Sequence, residues 1–267
     1  LRSVAPSSTH NLAISGANDK INYFINVGYL SQGSLWKTNI SNYERVNIRA
    51  NIESQIHKRI KMRLKLSGIL DDAKQQYEPT ITVFSSIWKA SPREAIYAND
   101  NPSYYNLPAG SIDYNPLSLI DEDISGYRKS ATKWTQNSLE LIYEIPGVKG
   151  LTAKGMYSYD FSSNVRKTFR KSYNLYNYKL NSETQEYGYE VVKQINTPSR
   201  VSNYYNEATQ TLMQFSLHYT HSFDNNTYNV TAALSYEEQD RHGFPSSAMR
   251  YVLTPTAQLT TAPADPP

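Results

Sequence analysis

Few residues of this sequence have the types and spacing that a reactive site needs. The 267-residue chain contains no Cys and 5 His, which excludes a thiolate nucleophile and a Cys-ligated metal site. His218 and His221 would form a metal-binding pair on a helix, but on a strand residues three apart point to opposite faces. Glu140 and Glu144 share one strand face, which is more typical of a polar wall than of acid/base catalysis. We therefore expect that the chain is not an enzyme.

Two acidic segments carry the oxygen ligands that Ca²⁺ prefers. They are Asp71-Asp72 and Asp121-Glu122-Asp123, both in predicted loops. Clusters of solvated carboxylates are common in such loops, so the charges alone do not require a metal. We expect no resident cofactor, and Ca²⁺ at these two segments is the one alternative.

The residues best suited to contact a ligand are aromatic side chains in two long segments between predicted strands. Sugars stack their C–H faces on such rings, and the Tyr hydroxyl adds a hydrogen-bonding group. Peptides can use the same groups, and packing of the loops against each other is the competing explanation. The candidates are Trp88, Tyr97, Tyr104, Tyr105, Tyr114 and Tyr127 in the first segment and Tyr173, Tyr176, Tyr178, Tyr187 and Tyr189 in the second.

The overall composition favours strands and polar loops. Tyr accounts for 23 residues, and this residue type is enriched in strands. The formal charge of +3 is too small to indicate nucleic-acid binding. No apolar run approaches the ~18 residues of a transmembrane helix.

Period-2 alternation of apolar and polar residues is the dominant pattern. It is clearest between Arg45 and Glu53, where Val, Ile and Ala alternate with Arg and Asn. The pattern predicts an all-β, antiparallel fold of about eight strands. These strands are predicted at residues 10–16, 21–30, 44–54, 60–70, 134–145, 151–162, 210–222 and 227–238.

The connections between these strands fall into two length classes. Short turns are predicted at 17–20, 55–59, 146–150 and 224–227, and long loops at 30–44, 71–133 and 162–209. Compact soluble domains rarely carry loops beyond ~12–15 residues without structure of their own. Outer-membrane barrels combine short turns at one rim with long extracellular loops at the other. The alternation of short and long connections therefore favours a barrel wall.

The two faces of the predicted strands differ sharply in polarity. A sandwich strand and a barrel strand both alternate in this way, but segments of about ten residues that end in Tyr are typical of membrane strands with an aromatic girdle. We predict that the apolar face contacts lipid and that the polar face lines a lumen. The predicted lumen-facing residues are Arg45, Arg49, Lys61, Arg63, Lys65, Glu140, Glu144 and Lys154.

Three stretches resemble the barrel of SusC/RagA-type TonB-linked outer membrane proteins of Bacteroidota. They are THNLAISGANDKINYFINVGYLSQGSLW, NYERVNIRANIESQIHKRIKMRLKLSG and EIPGVKGLTAKGMYSYDFS. The resemblance implies a 22-stranded barrel, a plug domain through which TonB acts, and a SusD-like lipoprotein that caps the barrel. It also implies uptake of oligosaccharides or peptides across the bacterial outer membrane.

The sequence matches only part of this family pattern. It holds no TonB box and no plug-like segment, so we expect a portion of a transporter barrel at residues 10–240, after a leading segment at 1–9 and before an irregular tail at 241–267. Two alternatives stay open. A soluble, surface-exposed β-sandwich that binds glycans would show the same alternation, and a passive porin would need neither plug nor TonB.

Overall fold

The computed structural model describes residues 1–38, 40–107, 114–223 and 226–249. Eight long strands form one antiparallel sheet in chain order, and two shorter strands form a separate hairpin. No described helix is long and apolar enough to cross a membrane. The elements are β1 (Ser7–Ala17), β2 (Ile21–Gly33), β3 (Asn42–His57), β4 (Ile60–Gln76), α1 (Thr80–Lys89), a 3-10 turn (Ala98–Asp100), α2 (Pro116–Leu119), β5 (Gly126–Glu144), β6 (Leu151–Arg170), β7 (Tyr173–Leu180), β8 (Tyr187–Ile195), β9 (Arg200–Phe223) and β10 (Asn226–Met249).

The predicted fold class is confirmed, but the strands are longer than the alternation indicates. At the short turns the observed and predicted ends nearly coincide. At the opposite end, β4 continues to Gln76, β5 begins at Gly126, β6 continues to Arg170 and β9 begins at Arg200. The backbone ladder persists there because it needs only paired N–H and C=O groups, whereas the alternation fades once both faces become polar. The predicted loops at 71–133 and 162–209 are correspondingly too long.

The two ends of the chain also differ from the prediction. Strand β1 begins at Ser7, within the predicted leading segment. Strand β10 pairs with β9 as far as Met249, which lies opposite Arg200. The predicted irregular tail is therefore wrong from 241 up to Met249. Residues 250–267 of that tail, and residues 224 and 225 of the predicted last turn, lie outside the described residues.

The sheet has no second sheet stacked on it in the described part of the chain. The two-stranded sheet β7–β8 is the only other one there. A β-sandwich buries its apolar residues between two facing sheets about 10 Å apart. The observed architecture lacks that second layer, so it disfavours the sandwich alternative.

The register places most of the apolar residues of the eight strands on one face, hereafter the apolar face. One row across this face is apolar in seven successive strands. Residues two positions apart on a strand point to the same face, and residues one position apart point to opposite faces. The face opposite the apolar face is hereafter the polar face. The apolar row is Tyr23, Ile52, Leu64, Leu139, Tyr157, Met213 and Tyr236.

The hairpins are staggered in one constant direction. We call the edge with the short turns the turn end and the opposite edge the loop end. At the turn end each hairpin reaches further than the one before it. Ile21 opens β2 opposite Ser54 while β3 continues to His57; Ile60 opens β4 opposite Tyr143 while β5 continues to Glu144; and Leu151 opens β6 opposite Tyr219 while β9 continues to Phe223.

The apolar residues on the apolar face shift in the same direction as the turns. On β3 they extend toward the loop end through Ile48 to Val46, but on β9 the positions in the same two rows are Thr209 and Glu207. The apolar run of β9 ends at Tyr219, near the turn. The apolar band therefore crosses the strands obliquely. Strands that tilt through a planar apolar layer produce this relation.

The apolar face is exposed, and the hydrophobic core lies at the loop end instead. Phe215 is 63% exposed, Leu217 50% and Leu234 73%. The buried apolar residues of the described chain all belong to the loop end or to segments beyond it: Trp36, Ile40, Val83, Ala98, Tyr105, Leu119, Phe169, Leu175, Ile195 and Val201. The sheet is thus held by its ladder, while the connections beyond it form a small packed unit.

Candidate functional site

All eight charged residues predicted to face a lumen lie on the polar face. The pairing of Arg49 with Ser67, of Lys65 with Ser138 and of Lys154 with Ile142 fixes their common side. Successive partners in antiparallel strands point the same way. The register therefore brings Arg45, Arg49, Lys61, Arg63, Lys65, Glu140, Glu144 and Lys154 together on one surface that crosses β3 to β6.

Part of this surface is a network of ion pairs. The guanidinium of Arg63 donates to Glu53 at 2.7 Å and to Glu140 at 3.0 Å, so it connects three strands. Lys61 adds a contact of 3.1 Å with Glu53, and Arg45 pairs with Asp71 at 2.6 Å. These side chains are about a fifth to two fifths exposed, so each pair contributes little to stability. Their main effect is a hydrated, charged surface.

The polar face also contains uncharged residues that the sequence reasoning missed. One row of partners contains Asn26, Ser67, Gln136, Gln210 and Gln239 together with the charged Arg49 and Asp160. Two open cavities, of about 390 and 420 Å³, lie along this row, and Gln136 and Asp160 line both. An uncharged side chain is a weaker sequence signal for a solute-lining face than a charge is, so these amides were not among the predicted residues.

The segments beyond the loop end form a packed unit, hereafter the loop cluster, made of residues 77–107, 114–125 and 171–199. Trp36, Ile40, Val83 and Leu119 form one buried group in which α1 and α2 meet the connection after β2. Tyr105, Leu175 and Ile195 form a second group. Backbone bonds join the two long connections, because Tyr176 donates to the Tyr105 carbonyl at 2.8 Å and Leu107 donates to the Tyr176 carbonyl at 3.0 Å.

Asn115 organises the first long connection from its buried position. Its side-chain oxygen accepts from the backbone N–H groups of Leu117 and Ser118, which caps the short helix α2. Its Nδ2 donates to the carbonyls of Ile96 and Asn106 at 2.7 and 2.9 Å. A single amide therefore fixes three stretches of chain, because all of its hydrogen-bonding groups are used.

Tyrosines from the two long connections meet in the loop cluster. Tyr104 stacks on Tyr189 with ring centroids 3.8 Å apart and contacts the edge of Tyr176 at 4.9 Å. Tyr178 lies 5.0 Å from Tyr189 and 5.7 Å from Tyr187. Tyr187 is 65% exposed and Tyr178 is 37% exposed. These five side chains form a tyrosine cluster with an exposed edge, at which a ligand can stack.

The other predicted aromatic residues are dispersed. Trp88 lies on α1 and is 79% exposed. Tyr97 packs on Tyr105, which is buried and therefore presents no surface to a ligand. Tyr114 lies under the ammonium of Lys193. Tyr127 lies in strand β5, not in a loop, and contacts Phe169 edge-on, while Tyr173 begins β7 and its hydroxyl meets Ser118 at 3.2 Å.

Burial changes the ionisation of the tyrosines inside the loop cluster. It raises the pKa of Tyr173 to about 12, against a smaller opposing effect of the Ser118 hydroxyl. The pKa of Tyr105 is raised further, first by burial and then by the carboxylate of Asp121, which accepts its hydroxyl at 3.0 Å. Both residues are therefore neutral hydrogen-bonding groups at ordinary pH.

The two predicted Ca²⁺ segments already use their carboxylates in hydrogen bonds. Asp71 lies in strand β4 and not in a loop, where it accepts from Arg45 and Tyr43. Asp121 accepts from Tyr105 and from the Asp123 backbone, and Glu122 pairs with Lys74 at 2.5 Å. Within the described ranges, no three His, Asp or Glu side chains come together as a metal site would require.

Two further features of the loop end were not predicted. A cavity of about 490 Å³ lies beside α1 and α2, with Trp36, Val83, Ile87 and Leu117 among its lining residues. Arg128, Arg170 and Arg200 cluster on the polar face at the loop end. Both features arise from contacts between segments far apart in sequence, and charged residues at strand ends are the only sequence signal for the arginines.

No protein-family model matches the sequence, and no curated protein matches it. Among solved structures, the chain is similar to the RagAB peptide transporter, with 17% identity and a TM-score of 0.58 over 91% of this chain and 26% of that one. It is also similar to the RagAB peptide importer in the open-open state (18% identity, TM-score 0.59, 96% and 27% of the two chains) and in the closed-closed state (14%, 0.56, 91% and 29%).

These similarities concern the fold. The chain spans about a quarter of the length of the proteins that it matches. Its antiparallel, open sheet of eight strands corresponds to part of the barrel wall in those structures. The chain thus has the fold of a segment of a transport-protein barrel.

Proposed function

We propose that this chain forms part of the wall of a TonB-dependent, SusC/RagA-type transporter in the bacterial outer membrane. The observation that carries the proposal is the oblique apolar band on one face of a sheet whose other face is polar and charged. An apolar face in water would be unfavourable, whereas lipid accommodates it and leaves the polar face for a solute pathway.

The remainder of the barrel is assigned to polypeptide outside these residues. In the described sheet the outer edges of β1 and β10 have no strand partner. Unpaired backbone groups are not tolerated in the hydrocarbon layer, and closed barrels remove such edges. The plug, through which TonB acts, is likewise assigned to polypeptide outside this chain.

In this proposal the loop cluster lies on the extracellular side, where it meets a SusD-like lipoprotein and the ligand. The exposed edge of the tyrosine cluster supplies stacking surfaces, and the polar face carries the solute inward. The ligand is a peptide or an oligosaccharide. Solved proteins of the same fold are described as peptide importers, which supports peptides, and their role in transport supports the expectation that this chain is not an enzyme.

Nitroxide labels placed singly on two adjacent residues of β4 test whether the apolar face contacts lipid. The chain contains no Cys, so Leu66→Cys and Lys65→Cys give single sites in this chain on the apolar and polar faces. In outer-membrane vesicles of the natural protein, we expect label 66 to collide mainly with oxygen, which dissolves in lipid, and label 65 mainly with a water-soluble nickel chelate. Equal nickel accessibility at both sites would contradict a lipid-facing wall.

Transport is tested separately in cells that contain the natural protein. We expect dye-labelled peptides or oligosaccharides to accumulate only when both the protein and TonB are functional. Accumulation that persists without TonB would contradict the energised mechanism and indicate a passive porin. Loss of uptake of one ligand class in cells lacking the protein identifies the substrate class.

A further inference from the structure

Three arginines lie side by side on the polar face at the loop end. Arg170 of β6 and Arg200 of β9 are direct partners in the sheet register. Arg128 of β5 pairs with Thr168, two residues from Arg170, so it is the diagonal neighbour of Arg170 on the same face. Side chains opposite each other in antiparallel strands lie about 5 Å apart at Cβ. The register therefore places three arginine side chains next to one another on one face.

The guanidinium groups are incompletely satisfied within the described part of the chain. The Nε atoms of Arg128, Arg170 and Arg200 are all buried and have no hydrogen-bond partner there. Arg128 donates through Nη2 to the Tyr77 carbonyl at 3.4 Å. Buried donors without acceptors are unfavourable, and charged donors more so. Three such atoms in one cluster indicate a site for a hydrogen-bond acceptor supplied by a ligand.

The carboxylates nearby do not neutralise this cluster. Glu78 is near enough to Arg128 and Arg170 to feel their charge, but it makes no direct ion pair with them, and burial raises its pKa in spite of them. Glu122 is paired with Lys74 and Asp121 with the Tyr105 hydroxyl. Like charges directly opposite on a sheet repel. The site therefore has an excess of positive charge in a partly buried setting.

We infer that Arg128, Arg170 and Arg200 form a binding site for a carboxylate of the transported ligand. Guanidinium groups bind carboxylates through paired N–H donors, which matches the donors left without acceptors here. The inference rests on the proposed transport function and narrows its substrate class to ligands with an acidic group. That group comes either from a peptide, as its C-terminus or an acidic side chain, or from a uronic acid of an oligosaccharide.

Binding of matched probes to the natural protein in detergent tests this inference. The peptide probe is N-acetylated Gly-Ser-Gly-Ser-Gly-Ser with a free C-terminal carboxylate, compared with the same peptide as its C-terminal amide. The sugar probe is trigalacturonate, compared with neutral galactotriose. We expect one acidic probe to bind at least tenfold more tightly than its neutral counterpart, as measured by isothermal titration calorimetry. The pair that shows the difference identifies the source of the carboxylate.

Variants then assign the binding to the arginine cluster. Arg170→Gln and Arg200→Gln should each weaken binding of the acidic probe roughly ten- to hundredfold, as expected for loss of a hydrogen bond to a charged group. Glu78→Gln should strengthen binding because it removes a carboxylate whose charge acts on Arg128 and Arg170. The matched control is Arg166→Gln, which removes the same charge from an exposed residue of the same strand and face, stacked on Tyr204, and should change affinity less than twofold.

Several results would overturn the inference. Equal affinity for the acidic and neutral members of both pairs in the unaltered protein would do so, and this comparison does not depend on whether any variant folds. Equal weakening by Arg166→Gln and Arg170→Gln would show a diffuse charge effect instead of a site. Failure of the transport function itself would be seen independently, in the nitroxide and uptake experiments.

Discussion

Tyr105 is a buried residue whose hydroxyl is hydrogen-bonded to a charged group. Its ring belongs to the second buried group, and its hydroxyl donates to the Asp121 carboxylate at 3.0 Å. A tyrosine that was predicted only as a candidate ligand contact thus joins two stretches of the connection between β4 and β5. Packing, the alternative considered from the sequence, describes this residue better.

Tyr105→Phe should destabilise the loop cluster by about 1.5–3 kcal/mol, because it removes a hydrogen bond to a charged acceptor. The free energy of local opening, measured by amide hydrogen exchange in residues 114–125, gives this value. Tyr104→Phe is the matched control. It keeps the ring stacks, and the Tyr104 hydroxyl makes no hydrogen bond within the described residues, so a comparable loss there would contradict the assignment.

The stability of the loop cluster should fall at strongly alkaline pH. Burial raises the pKa of Tyr173 to about 12 and that of Tyr105 further, so the folded protein holds both protons more tightly than the unfolded chain does. This contribution is complete below pH ~10, the ordinary tyrosine pKa, and is lost as pH rises through the folded values. Tyrosinate absorbance should show two late-titrating groups, and Tyr173→Phe should remove one of them.

At the scale of the elements, strand parity decides what each residue contacts. Gln214 and Phe215 are neighbours on β9, but they lie on opposite faces of the sheet, and Phe215 is 63% exposed on the apolar face. In a membrane, Phe215 should therefore contact lipid and Gln214 should contact water.

Phe215→Lys should destabilise the membrane-embedded protein by up to about 2–4 kcal/mol, the cost of a lipid-facing charge near the middle of the bilayer. Gln214→Lys should cost less than about 0.5 kcal/mol, because it adds a charge to a surface that is already hydrated and charged. Urea unfolding in lipid vesicles compares the two. If Gln214→Lys proved the more harmful, the assignment of the two faces would be reversed.

The elements also show where periodicity stops being informative. Between Arg45 and Glu53 the alternation gives the strand and its faces correctly, because one face is apolar. From Asp71 to Gln76 strand β4 continues without alternation, and the hairpin β7–β8 was predicted as a loop. In both cases backbone pairing and tertiary packing form the strand, and neither leaves a period in the side chains.

At the scale of the whole molecule, the exposed apolar face controls behaviour in water. Detergent-free preparations of these 267 residues should aggregate, since the apolar face and the outer edges of the sheet are open to association. Detergent micelles should restore a strand-rich circular dichroism spectrum and reduce the aggregate seen by size-exclusion chromatography. A monodisperse, strand-rich monomer in plain buffer would contradict the barrel-wall assignment and favour a soluble binding module.

The sequence by itself determined the number of strands in the large sheet, which residues of each strand lie on the apolar or the polar face, and the positions of the short turns. These properties are local. A stretch of about ten residues is enough to show which residues alternate between the two faces and which of them prefer lipid or water. The same is true of the common face shared by Arg63, Lys65 and Glu140.

Only the tertiary structure decided how distant segments meet. The stacking of Tyr104 on Tyr189, the hydrogen bonds of Asn115 to Ile96 and Asn106, and the juxtaposition of Arg128, Arg170 and Arg200 all join different stretches of the chain. Their positions depend on strand register and on how the loops pack, neither of which has a period along the chain. The physical reason is that the membrane-facing pattern is repeated in every strand, whereas each contact at the loop end is formed once.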